Sequence, residues 1–327
     1  MSSSLYPRLL GDVGGTNARF AWQHEPGAAL SHVASFLCND HDSLSDAIRH
    51  HLHVHALPTP RACAIGIANP IVGDRVQMTN HHWSFSIREL QQTLGVDRLI
   101  VLNDFAATAL SLPGLAREQL RRIGGGEAVE GAPLAVLGPG TGLGVSGLLQ
   151  TGPGHFLPLN GEGGHVTLPA FDPEEAALID VLRQRFGHAS AERALSGPGL
   201  VNLYEAVATL AGDAVRTLTP SEVIERARLH GDPVCRKALD HFCAFLGAVA
   251  GNLALTLGAR GGVYIAGGIA PRIFGELESS AFRERFEAKG RFKDYLATIP
   301  TYVISSDVSP AFLGASRALD DDPSVKA

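Results

Sequence analysis

The sequence predicts an α/β protein of two related domains, and three observations carry that expectation. Two glycine-rich segments, Leu10-Gly11-Asp12-Val13-Gly14-Gly15-Thr16 and Leu137-Gly138-Pro139-Gly140-Thr141-Gly142-Leu143-Gly144, repeat one plan. Each follows an apolar run and precedes another, which is the pattern of a tight turn between two strands rather than of a strand-to-helix loop. Apolar strands elsewhere stop abruptly at polar side chains and give way to helix-forming residues, as in Leu99-Ile100-Val101-Leu102 before Asn103-Asp104 and Phe105-Ala106-Ala107. Finally, 327 residues at 45% hydrophobic and 18% charged content suffice for two cores of ordinary size.

Taken in order, Leu9-Leu10 leads into the first turn and Ala18-Arg19-Phe20-Ala21-Trp22 leaves it. Ala62 to Ala68 is a third strand ending at Asn69-Pro70, and Leu99 to Leu102 a fourth. Polar groups at the carboxyl end of a buried strand project into the crevice where α/β folds bind ligands, which singles out Asp104. The second half repeats the opening with Leu134-Ala135-Val136-Leu137, the second turn and Val145 to Leu149. Helices follow. Asp172-Pro173-Glu174-Glu175 starts one that stops at Gly187, Thr219-Pro220-Ser221-Glu222 is a capping box, and Asp232-Pro233 opens a long helix ending before Gly258. Gly262 to Ile265 is a strand entering the double glycine Gly267-Gly268, where a flat backbone can lie beside a planar ring.

The net charge of -6, with 27 Lys and Arg scattered along the chain, provides no basic face for nucleic acid. The N-terminal residues lack a signal-peptide pattern, so the expectation is a cytoplasmic protein. The most apolar run, Phe242 to Leu257, contains Asn252 and falls short of the roughly 20 residues of a membrane span, so it reads as a core helix and no membrane partner is expected. Cys38, Cys63, Cys235 and Cys243 form no CxxC pair. Cys235 and Cys243 sit eight positions apart on one predicted helix, roughly 12 Å along its axis and too far for a disulfide. All four read as reduced core residues. His50, His51, His53 and His55 tempt a metal reading, but no carboxylate or cysteine completes a ligand set, and a solvated face is expected instead.

No GxxxxGK[ST] is present, and Gly140-Thr141-Gly142-Leu143-Gly144 is not a GxGxxG dinucleotide fingerprint. Gly144-Val145-Ser146-Gly147 is one residue short of a nucleophile elbow. What remains are the two turns, whose backbone amides and threonines suit phosphates, and the polar segment Asn160-Gly161-Glu162-Gly163-Gly164-His165. Two glycines let Glu162 and His165 converge on one small ligand. A carboxylate that accepts from two hydroxyls and an imidazole that both donates and accepts suit a sugar.

These segments carry a resemblance. Gly11-Asp12-Val13-Gly14-Gly15-Thr16-Asn17-Ala18-Arg19, Met78-Thr79-Asn80-His81-His82-Trp83, Leu102-Asn103-Asp104-Phe105-Ala106-Ala107, Gly138 to Gly144, Gly161-Glu162-Gly163-Gly164-His165, Ala191-Glu192-Arg193-Ala194-Leu195-Ser196-Gly197-Pro198-Gly199 and Ala266-Gly267-Gly268-Ile269 resemble, in order, the motifs of the bacterial ATP-dependent glucokinases. The resemblance implies two ribonuclease H-like α/β domains of the hexokinase and actin type flanking a cleft. Residues 1–113 with 309–321 would form the small domain, 114–308 the large one with helical insertions, and 322–327 a disordered tail. It also implies a homodimer. The Cys-rich zinc motif of the wider group of sugar kinases and repressors is missing, so no structural zinc is expected.

By resemblance, Asp104 is the catalytic base that takes the proton of the attacking hydroxyl. Its alternative role is to cap the helix that follows. Asn80, Asn103, Glu162, His165 and Glu192 match sugar-contacting positions. Gly11, Asp12, Val13, Gly14, Gly15, Thr16, Gly140, Thr141 and Gly142 would meet ATP phosphates, and Gly267 and Gly268 would border the adenosine. Asp12 fits Mg²⁺ held through water. The implied reaction converts glucose and Mg-ATP to glucose 6-phosphate and ADP. Its rivals are a kinase for another hexose or N-acetylhexosamine, and a non-catalytic sugar sensor, which would need neither Asp104 nor Asp12.

Overall fold

The computed structural model describes residues 5–321, so the tail expected at 322–327 lies outside the described residues. The chain forms two compact units. One takes the residues up to Ala116, Gln150–Asn160 and the chain from Ser306 onward, and the other Arg117–Leu149 and Gly161–Ser305.

The first unit begins with β1 (Arg8–Val13), β2 (Asn17–Gln23), β3 (Ser31–Leu37), α1 (Leu44–Val54) and β4 (Ala62–Ile67). A small hairpin, β5 (Arg75–Gln77) and β6 (Ser84–Ser86), then precedes α2 (Ile87–Leu94), β7 (Arg98–Asn103) and α3 (Asp104–Ser111). The sheet runs β3-β2-β1-β4-β7, antiparallel among the first three strands and parallel from β1 to β7. Alternation along the strands divides its two faces. Leu9, Phe20, Cys63 and Ile65 pack with Leu44 and Ile48 of α1 and Leu90 of α2. Leu10, Ala21, Ala62 and Ala64 meet a helix from the far end of the chain through Phe312, Ala315 and Leu319.

The remaining elements are β8 (Leu120–Arg122), β9 (Leu134–Pro139), β10 (Leu143–Gly152), β11 (His155–Leu159), α4 (Pro173–Phe186), α5 (Gly197–Ala211), α6 (Pro220–Leu229), α7 (Pro233–Leu257), β12 (Val263–Ile265), α8 (Phe274–Ser279), α9 (Phe282–Glu287), α10 (Lys293–Ala297), β13 (Thr301–Ile304) and α11 (Pro310–Asp321). The second sheet has the order β11-β10-β9-β12-β13-β8, with β11 and the end of β10 grouping with the first unit. Both glycine turns close antiparallel hairpins, β1 with β2 and β9 with β10.

Local chemistry sets the helix ends as expected. Asp172, Thr219 and Asp232 accept backbone N–H bonds at the starts of α4, α6 and α7, Thr219 within a complete capping box with Glu222. Gly258 ends α7 in the left-handed conformation. The apolar α7 is mostly buried, with Phe242, Phe245 and Leu246 in the core of the second unit. Gly247 and Gly251 let α9 press against it: a Cβ there would lie 2.1 Å from the Phe282 carbonyl oxygen and 2.3 Å from that of Phe286. In the first unit α11 is tied to β1. The buried Arg8 donates to Ser316 Oγ at 3.1 Å and to the Asp320 carboxylate at 2.7 Å, and Ser316 Oγ donates to Gln23.

The histidine run needs a correction. His50 and His53 are exposed, but His51 is wholly buried rather than solvated. Its ring packs against Phe20, Phe36 and His55, with centroids 5.5, 5.9 and 4.8 Å away. The amphipathic period of α1 places position 51 on the same inward face as Leu44, Ala47 and Ile48, and this overrides the polarity of imidazole. Among the described residues neither ring nitrogen of His51 has a hydrogen-bond partner. Burial, followed by neighbouring His55, His32 and His50, pushes its pKa down to about 4.

Candidate active site

In the first unit the site residues gather at one end of the parallel strands. Pairing aligns Asp12 with Gly66 and Gly66 with Leu102, so Asn103 ends β7 one residue beyond the level of Asp12 and Asp104 follows two beyond it, across two strand spacings of about 10 Å. Gly66 matters to this arrangement. A Cβ there would lie 3.2 Å from Ala107 Cβ and 3.5 Å from Asp104 Cα, so its absence seats the start of α3 directly on β4.

Asn103 is the N-cap of α3, its Oδ1 accepting from Phe105 N at 2.9 Å and Ala106 N at 3.1 Å. Asp104 is therefore the first helical residue rather than the cap, although its Oδ1 also accepts from Phe105 N. Half-buried at a helix N-terminus, its carboxylate sits where the helix dipole favours negative charge.

The first turn is compact. Gly14 N donates to Asn17 O, and Cys38 N donates to Thr16 O. Gly15 lies against Asn80, where a Cβ would be 2.8 Å from both Asn80 Cβ and Asn80 O, which joins the Met78–Asn80 stretch to the turn. Gly11 and Val13 are buried strand positions, while Thr16 is exposed. Asp12 pairs with Arg19 across the hairpin, Arg19 Nη1 to Asp12 Oδ2 being 3.2 Å.

The second unit gathers the other residues. Gly140 N donates to Gly142 O across the second turn, and Gly197 N at the start of α5 donates to Gly140 O. Gly267 adopts φ 81°, and a Cβ on it would lie 2.4 Å from Pro139 O. The double glycine is thereby placed beside the entrance of that turn, as the parallel pairing of Ile265 with Leu137 requires. Thr141 and Gly268 are exposed at this edge.

Residues 163–165 form a single 3₁₀ turn closed by His165 N donating to Glu162 O, with both side chains exposed. The next residue, Val166, accepts from Ala191 N, so the Glu162–His165 segment adjoins the short turn carrying Glu192. Glu192 is half-buried, and its Oε2 accepts from Leu143 N at 2.9 Å.

Comparison with known proteins assigns the chain as a whole to a family. The glucokinase family model matches residues 9–322. The chain belongs to the glucokinase family. It is 55% identical over 320 residues to the glucokinase of Aromatoleum aromaticum, covering 98% of this chain and 96% of the relative. Among solved structures, a glucokinase from an Antarctic psychrotroph superposes with TM-score 0.86 at 37% identity, covering 97% of this chain and 99% of the other. The glucokinase of Balamuthia mandrillaris, solved with glucose, superposes with TM-score 0.79 at 25% identity over 94% and 92% of the two chains. As a glucokinase family member the chain is a sugar kinase on a hexokinase-like α/β fold.

Two residues of this glucokinase fold escaped the sequence reading. Buried Asn69 links the parts of the first group: its Oδ1 accepts from Thr79 N at 3.0 Å, and its backbone oxygen accepts from Asn103 Nδ2 at 3.4 Å. Its position after a buried strand, like that of Asn103, was the available signal. The role of Leu143 is carried by a backbone amide and leaves no signature in side-chain identity.

Proposed function

We propose that this protein phosphorylates glucose at its 6-hydroxyl with Mg-ATP, with Asp104 as general base. The carrying observation is the place of Asp104: at the carboxyl end of a parallel strand, on a helix whose cap is supplied by Asn103. Glucose is the favoured sugar because the Balamuthia relative was solved with it. Asn80, Asn103, Glu162, His165 and Glu192 would bond the sugar hydroxyls. Gly11 to Thr16 and Gly140 to Gly142 would receive the phosphates, and Gly267 and Gly268 would flank the adenosine.

Magnesium enters this reading as part of the nucleotide substrate. Among the described residues no group of three or more His, Cys, Asp or Glu is placed to hold a metal alone. A single turn carboxylate, that of Asp12, fits a hydrated Mg²⁺ whose other ligands are phosphate oxygens. Arg19 beside Asp12 limits the charge repulsion that the phosphates would otherwise meet. In the transfer, Asp104 takes the 6-hydroxyl proton as that oxygen bonds to the γ-phosphorus, and the bridging oxygen leaves with ADP.

The test is Asp104→Asn. The amide keeps the shape and hydrogen-bonding reach of the side chain but cannot accept the proton at neutral pH, so turnover should fall by about 10² to 10⁴. Glucose affinity by calorimetry should stay within a few-fold of wild type. Turnover within tenfold of wild type removes Asp104 from the role of base.

A further inference from the structure

The residues assigned to sugar and those assigned to phosphate are mechanically joined in the second unit, and the joint is Leu143. Its N–H donates to Glu192 Oε2 at 2.9 Å. Its carbonyl oxygen is covered by Gly164 so closely that a Cβ there would lie 2.1 Å away. Leu143 follows the turn Gly140-Thr141-Gly142 directly, so both sugar-side segments grip the residue that ends the phosphate turn.

Gly142 is where the joint meets the Glu192 carboxylate itself. A Cβ on Gly142 would lie 2.4 Å from Glu192 Oε2 and 3.3 Å from Glu192 Cδ, whereas a Cβ on Gly140, two positions earlier in the same turn, would meet nothing within 4 Å. The absence of a side chain at 142 is therefore what lets the carboxylate reach the Leu143 amide. Charge-assisted hydrogen bonds of this kind are short and direction-sensitive. One carboxylate oxygen is thus committed to the turn, and among the described residues Oε1 of Glu192 has no hydrogen-bond partner in the protein, leaving it for a hydroxyl.

We infer that Glu192 is a shared positioning residue: the phosphate turn orients its carboxylate for the sugar, so that Gly142, a nucleotide-side residue, sets sugar affinity even when no nucleotide is bound. The inference rests on the assignment of Glu192 to the sugar. It also has a reciprocal consequence: sugar held by Oε1 fixes the carboxylate and thereby steadies the Leu143 end of the turn before ATP arrives. Linkage requires such coupling to act equally in both directions.

The experiment is glucose titration by calorimetry into full-length wild-type protein, Gly142→Ala and Gly275→Ala, all without nucleotide; position 275 in α8 faces open space away from both sets of residues. Gly142→Ala should weaken glucose binding by about tenfold or more, and Gly275→Ala should leave it within twofold. Equal glucose affinity in Gly142→Ala and wild type overturns the inference while leaving the sugar-kinase reading intact. No glucose binding by folded wild type overturns that reading itself. A second measurement needs no variant: amide exchange of Leu143 in the wild type should slow by about tenfold on adding glucose alone, and unchanged exchange there contradicts the coupling.

Discussion

His51 illustrates how a single side chain imposes pH dependence on the first unit. The folded protein holds its imidazole neutral down to about pH 4, whereas an exposed histidine in the unfolded chain takes up a proton near 6.5. The contribution of the neutral ring is thus fully present above pH 6.5 and is lost progressively as pH falls toward 4, by about 3 kcal/mol over that window. His241, lowered mainly by its own burial, acts in the same direction. Asp74, Glu222 and Glu276, held low mainly by hydrogen bonds, add to the loss once pH approaches their ordinary values of 3.8 for Asp74 and 4.5 for the two glutamates. His51→Leu should flatten the urea-unfolding stability profile between pH 6.5 and 4, and an unaltered slope would show that His51 is not its source. The cysteines make a simpler case: burial pushes Cys63 and Cys243 up to about 12 and Cys235 up to about 11, so these thiols should stay unreactive toward thiol reagents until the protein unfolds.

Secondary-structure elements meet where side chains are missing, and this makes certain glycines more consequential than their size suggests. Gly314 in α11 is the clearest instance. A Cβ there would fall 1.6 Å from the carbonyl oxygen of Ala107 in α3, so the two helices touch backbone to backbone. Overpacking normally costs about 1 to 3 kcal/mol, and a backbone obstacle offers no rotamer to relieve it. Gly314→Ala should therefore destabilise the protein by about 3 kcal/mol or more in denaturant unfolding, while Gly275→Ala, facing open space in α8, should change stability little. Equal midpoints for the two would contradict the close helix contact. Element ends were the most legible part of the sequence, because Asp172, Thr219, Asp232 and Gly258 act on backbone groups a few positions away. The inward turn of His51 was less legible, since its residue type and its place in the helical period point in opposite directions. The bonds from Glu192 to Leu143 and from Asn69 to Thr79 could not be read locally, because they depend on which loops the fold brings together.

At the scale of the whole molecule, two α/β units each present a glycine hairpin turn and a set of polar side chains, and the two sets are assembled by different means. In the first, parallel pairing brings Asp12 and Asp104 to one end of the strands, and in the second, contacts at Gly142 and Gly164 bind the Glu162 and Glu192 segments to the Gly140–Gly142 turn. Repeated glycine turns and strand-ending polar residues made both sets visible in the sequence, whereas their distances were not. The proposed work of these two sets is phosphoryl transfer from ATP to glucose. It is tested most directly by ADP release from Mg-ATP with glucose, mannose, fructose, galactose, N-acetylglucosamine or N-acetylmannosamine as single acceptors, against a sugar-free control. Glucose should stimulate release strongly and the other sugars much more weakly. Preference for another sugar would contradict the substrate assignment, and no stimulation by any sugar, from protein that still binds glucose, would contradict the kinase account.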